Sequence, residues 1–333
     1  MVSFQIEKRI VRDYYDALDG AEGDGISAIL ERFTAPEYIW RAFHPFHMQT
    51  NATAVSEIFW QPFRHAVTHM QRRMDIFFAG QNVIDDGASV WVCSMGHLMG
   101  LFDNPWLGIQ PTKKIILLRY AEFHKVVDGK IAQTAFYFDI PHFMIQAGYK
   151  PFADQAAAHL VQPGPAPHDA LLYQDADPAE SRKTLDVIHS MISDLGQWQS
   201  GLPLEEELAQ SWHDDMIWWG PAGIGATYTI ARYAKQHSGP FRAGLSDRSG
   251  TVHIARLAEG NYGGFFGWPN FTAKPTGGYL GLPSNDNDCE FRVIDIYRRE
   301  GGKLKENWIF IDMLHFFNQQ GVDVLAQLIE TKV

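Results

Sequence analysis

The chain carries the same residue pattern twice, and this internal repeat constrains its architecture more than any other feature. Trp40 recurs as Trp218, and Pro62-Phe63-Arg64 recurs as Pro240-Phe241-Arg242, both at one common offset. A second, slightly shorter offset relates Arg119 to Arg292, Gly129-Lys130 to Gly302-Lys303, Asp139 to Asp312, His142 to His315, Gln146 to Gln319, and Gly148 to Gly321. Solenoid repeats have periods of roughly 20 to 50 residues, so a period of about 175 residues indicates two tandem domains.

The repeat sets the predicted domain boundaries. We expect domain 1 over residues 1–150, a linker over 151–177 and domain 2 over 178–333. With 333 residues in all, each domain is long enough to bury its own core. In each copy, segments with helical periodicity come first and strand-like segments follow, which predicts an α+β fold with a mostly antiparallel sheet.

Composition excludes several classes of function. A net charge of −11 argues against a nucleic-acid partner, because phosphate binding requires clustered Lys and Arg. No apolar run reaches the roughly 18 residues that a membrane span needs, and the N-terminus lacks the pattern of a signal peptide. Cys93 and Cys289 occupy non-equivalent places in the repeat, so we expect two free thiols and a cytoplasmic protein.

Each copy ends with a strand that closes on an aspartate. Alternation places Tyr137 and Asp139 on one face of this strand in the first copy, and Trp308, Phe310 and Asp312 on that face in the second. Burial beside aromatic rings would raise the pKa of the carboxyl group, which suits a general acid or base. The alternative is a helix N-cap, because both aspartates precede a predicted helix and Asp is a favoured capping residue.

The second copy resembles the SnoaL-like polyketide cyclases, a branch of the NTF2-like superfamily. The segments that carry the resemblance are Gly263-Gly264-Phe265-Phe266-Gly267, Pro275-Thr276-Gly277, Gly302-Lys303, Trp308, Asp312, Gln319 and Gly321. Gly96 to Gly100 and Pro111-Thr112 form a fainter first-copy version. The resemblance implies two NTF2-like, cone-shaped domains, each a curved, mostly antiparallel sheet with packed helices around an apolar pocket, arranged as a pseudo-dimer.

The resemblance also implies a chemistry. In these cyclases the residue at the Asp312 and Asp139 position is the acid/base of an intramolecular aldol ring closure, with no metal and no cofactor. One carboxyl group of tuned pKa in a dry pocket can perform both proton transfers of such a reaction. The family often has a histidine two residues before the first glycine of its Gly-x-Phe-x-Gly segment. This chain has Ser94 and Asn261 there, and either can hydrogen-bond a substrate oxygen.

Four further recurrent residues complete the predicted site. Trp40 and Trp218 are expected in the pocket wall or the core, since either place retains the ring in both copies. His142 and His315 lie one helical turn after the two aspartates, where they would either orient the carboxylate for substrate binding or pack the helix.

The sequence therefore predicts a cofactor-free acid/base enzyme of cyclase or isomerase type that acts on a small, largely apolar carbonyl compound. Asp312 is the expected acid/base and Asp139 its counterpart; domain 2 is expected to hold the better site, since Ala135 replaces Trp308 in the first copy. We expect the two halves to pack on each other, with no membrane partner and a further homo-oligomer left open. The alternatives are a non-catalytic small-molecule-binding or protein-association module, or a hydrolase or dehydratase using the same pocket.

Overall fold

The computed structural model describes residues 3–23, 25–196, 201–250 and 252–327. The chain packs as two compact units. Domain 1 takes its described residues from 1–151, 166–175 and 323–333, and domain 2 takes its residues from 152–165 and 176–322. The segment 151–177 thus contributes to both units. In the part of the chain that the structure describes, no helix is long and apolar enough to cross a membrane.

Domain 1 begins with helices and continues into strands. Helix α1 is amphipathic and buries Val11, Tyr14 and Leu18 along one face. A π-helical turn, Ser56–Trp60, joins α3 to α4. Among the described residues the helices are α1 (Gln5–Asp19), α2 (Gly25–Phe33), α3 (Ala52–Val55), α4 (Gln61–Ala66) and α5 (Ile140–Gln146). The strands are β1 (Thr34–Ala42), β2 (Met48–Gln49), β3 (Val67–Gln81), β4 (Val90–Phe102), β5 (Ile115–Val127) and β6 (Lys130–Phe138).

These strands form a six-stranded sheet within the described residues, in the order β2-β1-β6-β5-β4-β3. Strands β1 and β6 run parallel, and the other neighbouring pairs are antiparallel. Strand β3 continues without a break from Val67 to Gln81 and carries Arg72 in its middle.

Domain 2 repeats this order of elements. A π-helical turn, Ala234–Ser238, joins α8 to α9, as its counterpart does in domain 1. The described helices are α6 (Pro178–Gly196), α7 (Leu204–Ser211), α8 (Ile230–Tyr233), α9 (Gly239–Ala243) and α10 (Met313–Asn318). The described strands are β7 (Trp212–Trp219), β8 (Ala226–Tyr228), β9 (Leu245–Ser249), β10 (Ala255–Glu259), β11 (Tyr262–Pro275), β12 (Cys289–Glu300) and β13 (Lys303–Ile311).

The second sheet differs from the first at one edge. Its order is β10-β11-β12-β13-β7-β8, and β9 also pairs with β11. The place of the single strand β3 is thus taken by two short strands, β9 and β10, with His253 between them. Within the described residues of this second sheet, β13 and β7 run parallel and the other paired strands are antiparallel. Two mostly antiparallel sheets, each preceded by helices, confirm the predicted α+β fold class.

In each domain, the same pair of hydrogen bonds attaches the last helix to the sheet. The side-chain amide of Gln146 exchanges two hydrogen bonds with the backbone of Leu117, at 3.0 and 2.7 Å. Gln319 does the same with Glu290, at 2.7 and 3.1 Å. Both residues of this contact recur at the offset that also relates Asp139 to Asp312, so the repeat in the sequence is also a repeat of contacts.

Aromatic rings fill the interior of domain 1. Phe59 lies 5.1 Å from both Phe136 and Phe138, measured between ring centroids, and Trp60 stacks on Phe136 at 5.5 Å. All four side chains are at most 1% exposed. These aromatic side chains therefore fill the centre of domain 1.

Candidate active site in domain 2

Domain 2 contains a cavity of about 120 Å³ beside its sheet, lined in part by residues of β11, β12 and β13. That volume is well above the roughly 10–15 Å³ that one water molecule requires. Its wall is largely apolar and includes Met191, Trp212, Trp218, Phe241, Phe271 and Phe291. The polar side chains that line it include His237, Arg248, His253, Asp295, Tyr297 and Asn307. An apolar cavity with a few converging polar groups is the usual form of a small-molecule site.

Asp295 is the acidic residue of this cavity and lies in the middle of β12, paired with Phe265 on β11 and Ile309 on β13. Its side chain is deeply buried, and Asn307 donates a hydrogen bond to its Oδ1 at 3.0 Å. The Tyr297 hydroxyl also hydrogen-bonds this carboxyl. Burial raises the pKa of Asp295 to about 7, although the hydrogen bonds from Asn307 and Tyr297 act in the opposite direction.

The orientation of the Asn307 amide is fixed by two acceptors. Its Nδ2 donates to Asp295 Oδ1 and to the backbone carbonyl of Ile296, each at 3.0 Å. The amide therefore presents its N–H groups to the carboxyl, which favours the ionised form of Asp295. Asp295 is thus held by neutral donors, while burial alone keeps its pKa high.

Two histidines of the cavity are held neutral. Burial lowers the pKa of His237 to about 3, and its ring stacks on Trp218 with centroids 4.0 Å apart. Burial, together with the nearby Arg256, lowers the pKa of His253 to about 3. Both imidazoles therefore act as hydrogen-bonding groups and carry no charge over the neutral range.

Two arginines supply positive charge at the cavity wall. Arg242 forms an ion pair with Glu207 at 2.5 and 3.1 Å. The guanidinium of Arg248 lies 4.5 Å above the ring of Phe271, and burial and Arg242 lower its pKa.

The two aspartates that the sequence selects are both helix caps. Asp312 accepts a hydrogen bond from the backbone N–H of His315 at 3.1 Å, and Asp139 accepts one from His142 at 2.9 Å. Asp312 Oδ2 also lies 3.6 Å from Arg292 Nη1. Neither aspartate is among the residues that line the cavity. The capping alternative is confirmed for both, and the catalytic role of Asp312 and Asp139 stays a prediction.

The cavity lies on the opposite face of β13 from the one selected by alternation. Asn307 and Ile309 line it, whereas the buried Trp308 and Phe310 point to the other face. There the Trp308 indole N–H donates to the carbonyl of Pro163 at 3.0 Å. Both faces of this strand are covered, so apolar side chains occur on both, and aromatic content does not distinguish the cavity side. This corrects the predicted pocket role of Trp308 and Phe310.

Of the two recurrent tryptophans, Trp218 lines the cavity as predicted, while Trp40 packs in the aromatic core of domain 1, 5.8 Å from Phe59. Tyr137 is also core, with its ring centroid 4.3 Å from that of Phe43. Trp218 thus belongs to the cavity wall of domain 2, whereas Trp40 and Tyr137 belong to the packed interior of domain 1.

The remaining predicted binding residues are engaged elsewhere. Ser94 is buried in domain 1, 3.0 Å from the hydroxyl of Tyr120. Asn261 is exposed in the β10–β11 turn, where its side chain accepts a hydrogen bond from Arg299 at 2.7 Å.

The two histidines that follow the caps contact neighbouring side chains. His142 Nδ1 is 3.1 Å from the Gln146 amide nitrogen, and His315 Nε2 is 3.4 Å from a Glu290 carboxylate oxygen. These contacts fit the helix-packing alternative.

Domain 1 holds an acidic residue at the position of Asp295. Glu122 precedes it by the same offset that relates Asp139 to Asp312, and it occupies the same place in β5. Its carboxylate pairs with Arg72 at 2.9 Å, and both side chains are nearly inaccessible. Burial would raise the pKa of Glu122, but Arg72 and His124 outweigh it and lower that pKa. This second recurrent acid is a signal that sequence reasoning missed.

Over residues 3–23, 25–196, 201–250 and 252–327, no group of three or more His, Cys, Asp or Glu side chains is placed to hold a metal ion. Domain 2 thus combines an α+β fold with a largely apolar cavity that is lined by one buried carboxyl group of raised pKa. Residues 268–320, which contain Asp295, Asn307 and Asp312, match the model of the SnoaL-like polyketide cyclase family. Domain 2 is therefore SnoaL-like in this segment, and the resemblance seen in the sequence is confirmed there.

Solved structures similar to parts of the chain carry related names. A SnoaL-like polyketide cyclase from Agrobacterium tumefaciens is 17% identical with a TM-score of 0.31, over 41% of this chain and 96% of that protein. An NTF2-like protein from Burkholderia thailandensis is 19% identical with a TM-score of 0.31, over 44% of this chain and 98% of that protein. No curated protein matches the chain.

Proposed function

We propose that domain 2 is a cofactor-free acid/base enzyme that acts on a small, largely apolar carbonyl compound, of cyclase or isomerase type. The observation that carries the proposal is the Asp295 carboxyl group, which lines an apolar cavity and has a pKa of about 7. A general acid or base is most effective when its pKa lies near the working pH, because both protonation states are then populated.

Asp295 takes the proton from a carbon next to a carbonyl group and returns a proton to the product. Asn307 holds one carboxylate oxygen and Tyr297 hydrogen-bonds the same group, which fixes the direction from which the base approaches.

Asp312, with Asp139 as its counterpart, is the rival assignment for the acid/base. Its two oxygens are occupied by the helix cap and by Arg292, and it lies outside the cavity lining. These contacts support Asp295.

We also infer that the chain arose by duplication of one domain. The inference is supported by the matched residue offsets and by the matched hydrogen bonds of Gln146 and Gln319. The pseudo-dimer arrangement, a homo-oligomer and a cytoplasmic location stay predictions.

The test is proton exchange, which requires no knowledge of the natural product. A panel of β-dicarbonyl compounds is incubated in D₂O with the wild type and with Asp295→Asn, Asp312→Asn and Asp139→Asn, and mass spectrometry follows deuterium uptake at the acidic carbon. We expect uptake above the buffer rate that is lost only in Asp295→Asn. Loss in Asp312→Asn alone would move the acid/base to that residue. No acceleration by any folded protein would favour the non-catalytic binding module.

A further inference from the structure

His253 lines the cavity, and its ring is held by stacking on one face and by a hydrogen bond to one of its nitrogens. Its ring stacks on Phe265, with centroids 4.0 Å apart and planes 11° from parallel. Its Nδ1 lies 2.8 Å from Arg256 Nη2 and 3.1 Å from Arg256 Nε. The ring is buried and lines the cavity, whereas Arg256 is not among the lining residues.

These contacts determine which nitrogen carries the proton. A guanidinium group has only donors, so the ring nitrogen that faces it must be the acceptor. Nδ1 of His253 is therefore unprotonated. Since a neutral imidazole carries one proton, that proton is on Nε2, and Nε2 becomes a hydrogen-bond donor with no positive charge.

The sheet places this donor and the acid/base beside the same residue, Phe265. Phe265, on which His253 stacks, is paired across the β11–β12 ladder with Asp295. The ring of Phe265 also lies 5.8 Å from that of Tyr297, the hydroxyl donor to Asp295. His253 and Tyr297 thus contact one and the same ring, and His253, Asp295 and Tyr297 all line the cavity.

We propose that the Nε2–H of His253 donates a hydrogen bond to the carbonyl oxygen of the substrate, and that Arg256 is a positioning residue that keeps the proton on Nε2. This inference rests on the function proposed above. The carboxylate of Asp295 removes the proton from the adjacent carbon, the electrons of that C–H bond form the C=C bond of an enolate, and the carbonyl oxygen becomes negative. The fixed donor meets that charge as it develops. The substrate class is therefore an enolisable ketone or β-dicarbonyl compound.

The first test reads the tautomer directly. Protein with ¹⁵N-labelled histidine is compared with His253→Gln to assign the ring signals of His253. We expect a pyrrole-type Nε2 and a pyridine-type Nδ1 in the wild type. Arg256→Met should mix the two forms, whereas Arg232→Met, the same change at an exposed arginine of domain 2, should not. A protonated Nδ1 in the wild type would overturn the proposal.

The second test reads contact with the oxygen. Pentane-2,4-dione, a small β-diketone that is enolisable but un-ionised at neutral pH, is titrated into the labelled wild-type protein. We expect the Nε2–H signal of His253 to shift with saturation and the signals of exposed histidines to stay fixed. An Nε2–H signal that does not move while the dione binds overturns the proposal.

A matched pair of variants connects the donor to catalysis. His253→Phe keeps the ring that stacks on Phe265 but removes the donor, and His253→Gln supplies an amide N–H at a similar distance from the backbone. We expect His253→Phe to lower the rate of deuterium exchange at saturating dione about 100-fold and His253→Gln to recover part of that loss. Equal rates for wild type and His253→Phe would refute the role of His253 and leave that of Asp295 intact. Exchange that survives Asp295→Asn would refute the proposed acid/base instead, so the two failures are distinguishable.

Discussion

Glu122 in domain 1 and Asp295 in domain 2 are acidic side chains at matching strand positions, yet their surroundings are opposite. Glu122 pairs with Arg72 at 2.9 Å, and Arg72 together with His124 and Tyr15 more than offsets the effect of burial on its pKa. Asp295 receives a hydrogen bond from Asn307, no cation among the described residues lowers its pKa, and burial raises that pKa to about 7. The comparison teaches that the neighbouring cations and hydrogen-bond donors decide whether a buried carboxyl group stays ionised or has a raised pKa.

The origin of this difference is one strand of the sheet. In domain 1 the unbroken strand β3 carries Arg72 into the interior, where its guanidinium lies 3.9 Å above the ring of Tyr15. In domain 2 the equivalent edge is divided into β9 and β10, and His253 comes from the segment between them. Arg72 and aromatic rings fill the interior of domain 1, whereas domain 2 contains a cavity at the corresponding place.

The largest expected effect separates the two domains by activity. Asp295→Asn removes the acid/base and should lower the rate of deuterium exchange about 100- to 10,000-fold. Asp139→Asn makes the same chemical change at the aspartate that caps α5 in domain 1, and because Asn also caps helices it should leave the rate within about twofold. Mass spectrometry of exchange in D₂O measures both. A loss in Asp139→Asn comparable with that in Asp295→Asn would remove the asymmetry.

The same carboxyl-to-amide change should have opposite effects on stability in the two domains. Glu122→Gln breaks a buried ion pair and leaves Arg72 with only the less buried Asp19, so the free energy of unfolding should fall by about 3 kcal/mol. Asp295 has a pKa of about 7 when folded and about 3.9 when unfolded, so its ionisation destabilises the folded protein by about 4 kcal/mol above pH 7.

This penalty is absent below about pH 4 and grows between pH 4 and pH 7. Asp295→Asn should therefore gain stability relative to the wild type as the pH rises through that window. Denaturant unfolding of each variant at pH 4 and pH 8 checks both signs. A constant difference between wild type and Asp295→Asn at the two pH values would show that folding does not raise the pKa of Asp295.

The pH dependence of exchange should follow the carboxyl group of domain 2. Asp295 acts as the base when ionised, and its pKa of about 7 places the change in activity near neutrality. The rate should therefore fall about tenfold for each pH unit below 7 and level off above it. The tyrosines beside it, Tyr233 and Tyr297, have pKa values raised by burial and do not contribute to this limb. A midpoint near pH 4 would assign the base to an unperturbed carboxylate.

The smallest expected effect is one that the two domains share. Asp139 and Asp312 cap α5 and α10 with hydrogen bonds of 2.9 and 3.1 Å, so Asp139→Ala and Asp312→Ala should each cost about 1 kcal/mol of stability. Thermal unfolding compares the two. A much larger loss of stability in one variant would show that its aspartate has a further structural role. If Asp312→Ala is fully folded but no longer exchanges deuterium, Asp312 belongs to the active site.

Much of the fold follows from the sequence, because the repeat and the change of periodicity are local signals. The caps were equally readable, since Asp before a helix satisfies free backbone N–H groups whatever surrounds it. The recurrence of Trp40 and Trp218 predicted a wall or core position for each ring, and it did not show which of the two would line a cavity. The face of β13 that lines the cavity could not be predicted. Trp308 on the other face is covered by Pro163, so the residues on both faces are apolar and the sequence pattern does not distinguish Trp308 from Ile309.

Asp295 itself was within reach of sequence reasoning. It stands between Val293 and Tyr297 in an apolar strand, where a carboxyl group is costly, and Glu122 is its acidic counterpart in the first copy of the repeat. What the sequence does not contain is the partner of each acid. Arg72 lies on a different strand, 50 residues from Glu122, so only the folded sheet shows that this acid is paired with a cation while Asp295 is held by an amide and a hydroxyl.

The most direct test of the central claim is to measure the pKa of the two carboxyl groups in one protein. Carboxyl ¹³C signals of labelled Glu and Asp are followed against pH, with Glu122→Gln and Asp295→Asn used to assign them. We predict that Asp295 titrates near pH 7 and that Glu122 titrates below the ordinary range of a glutamate. If Asp295 instead titrates near pH 4, the domains do not differ as described, and domain 2 has no base tuned to neutral pH.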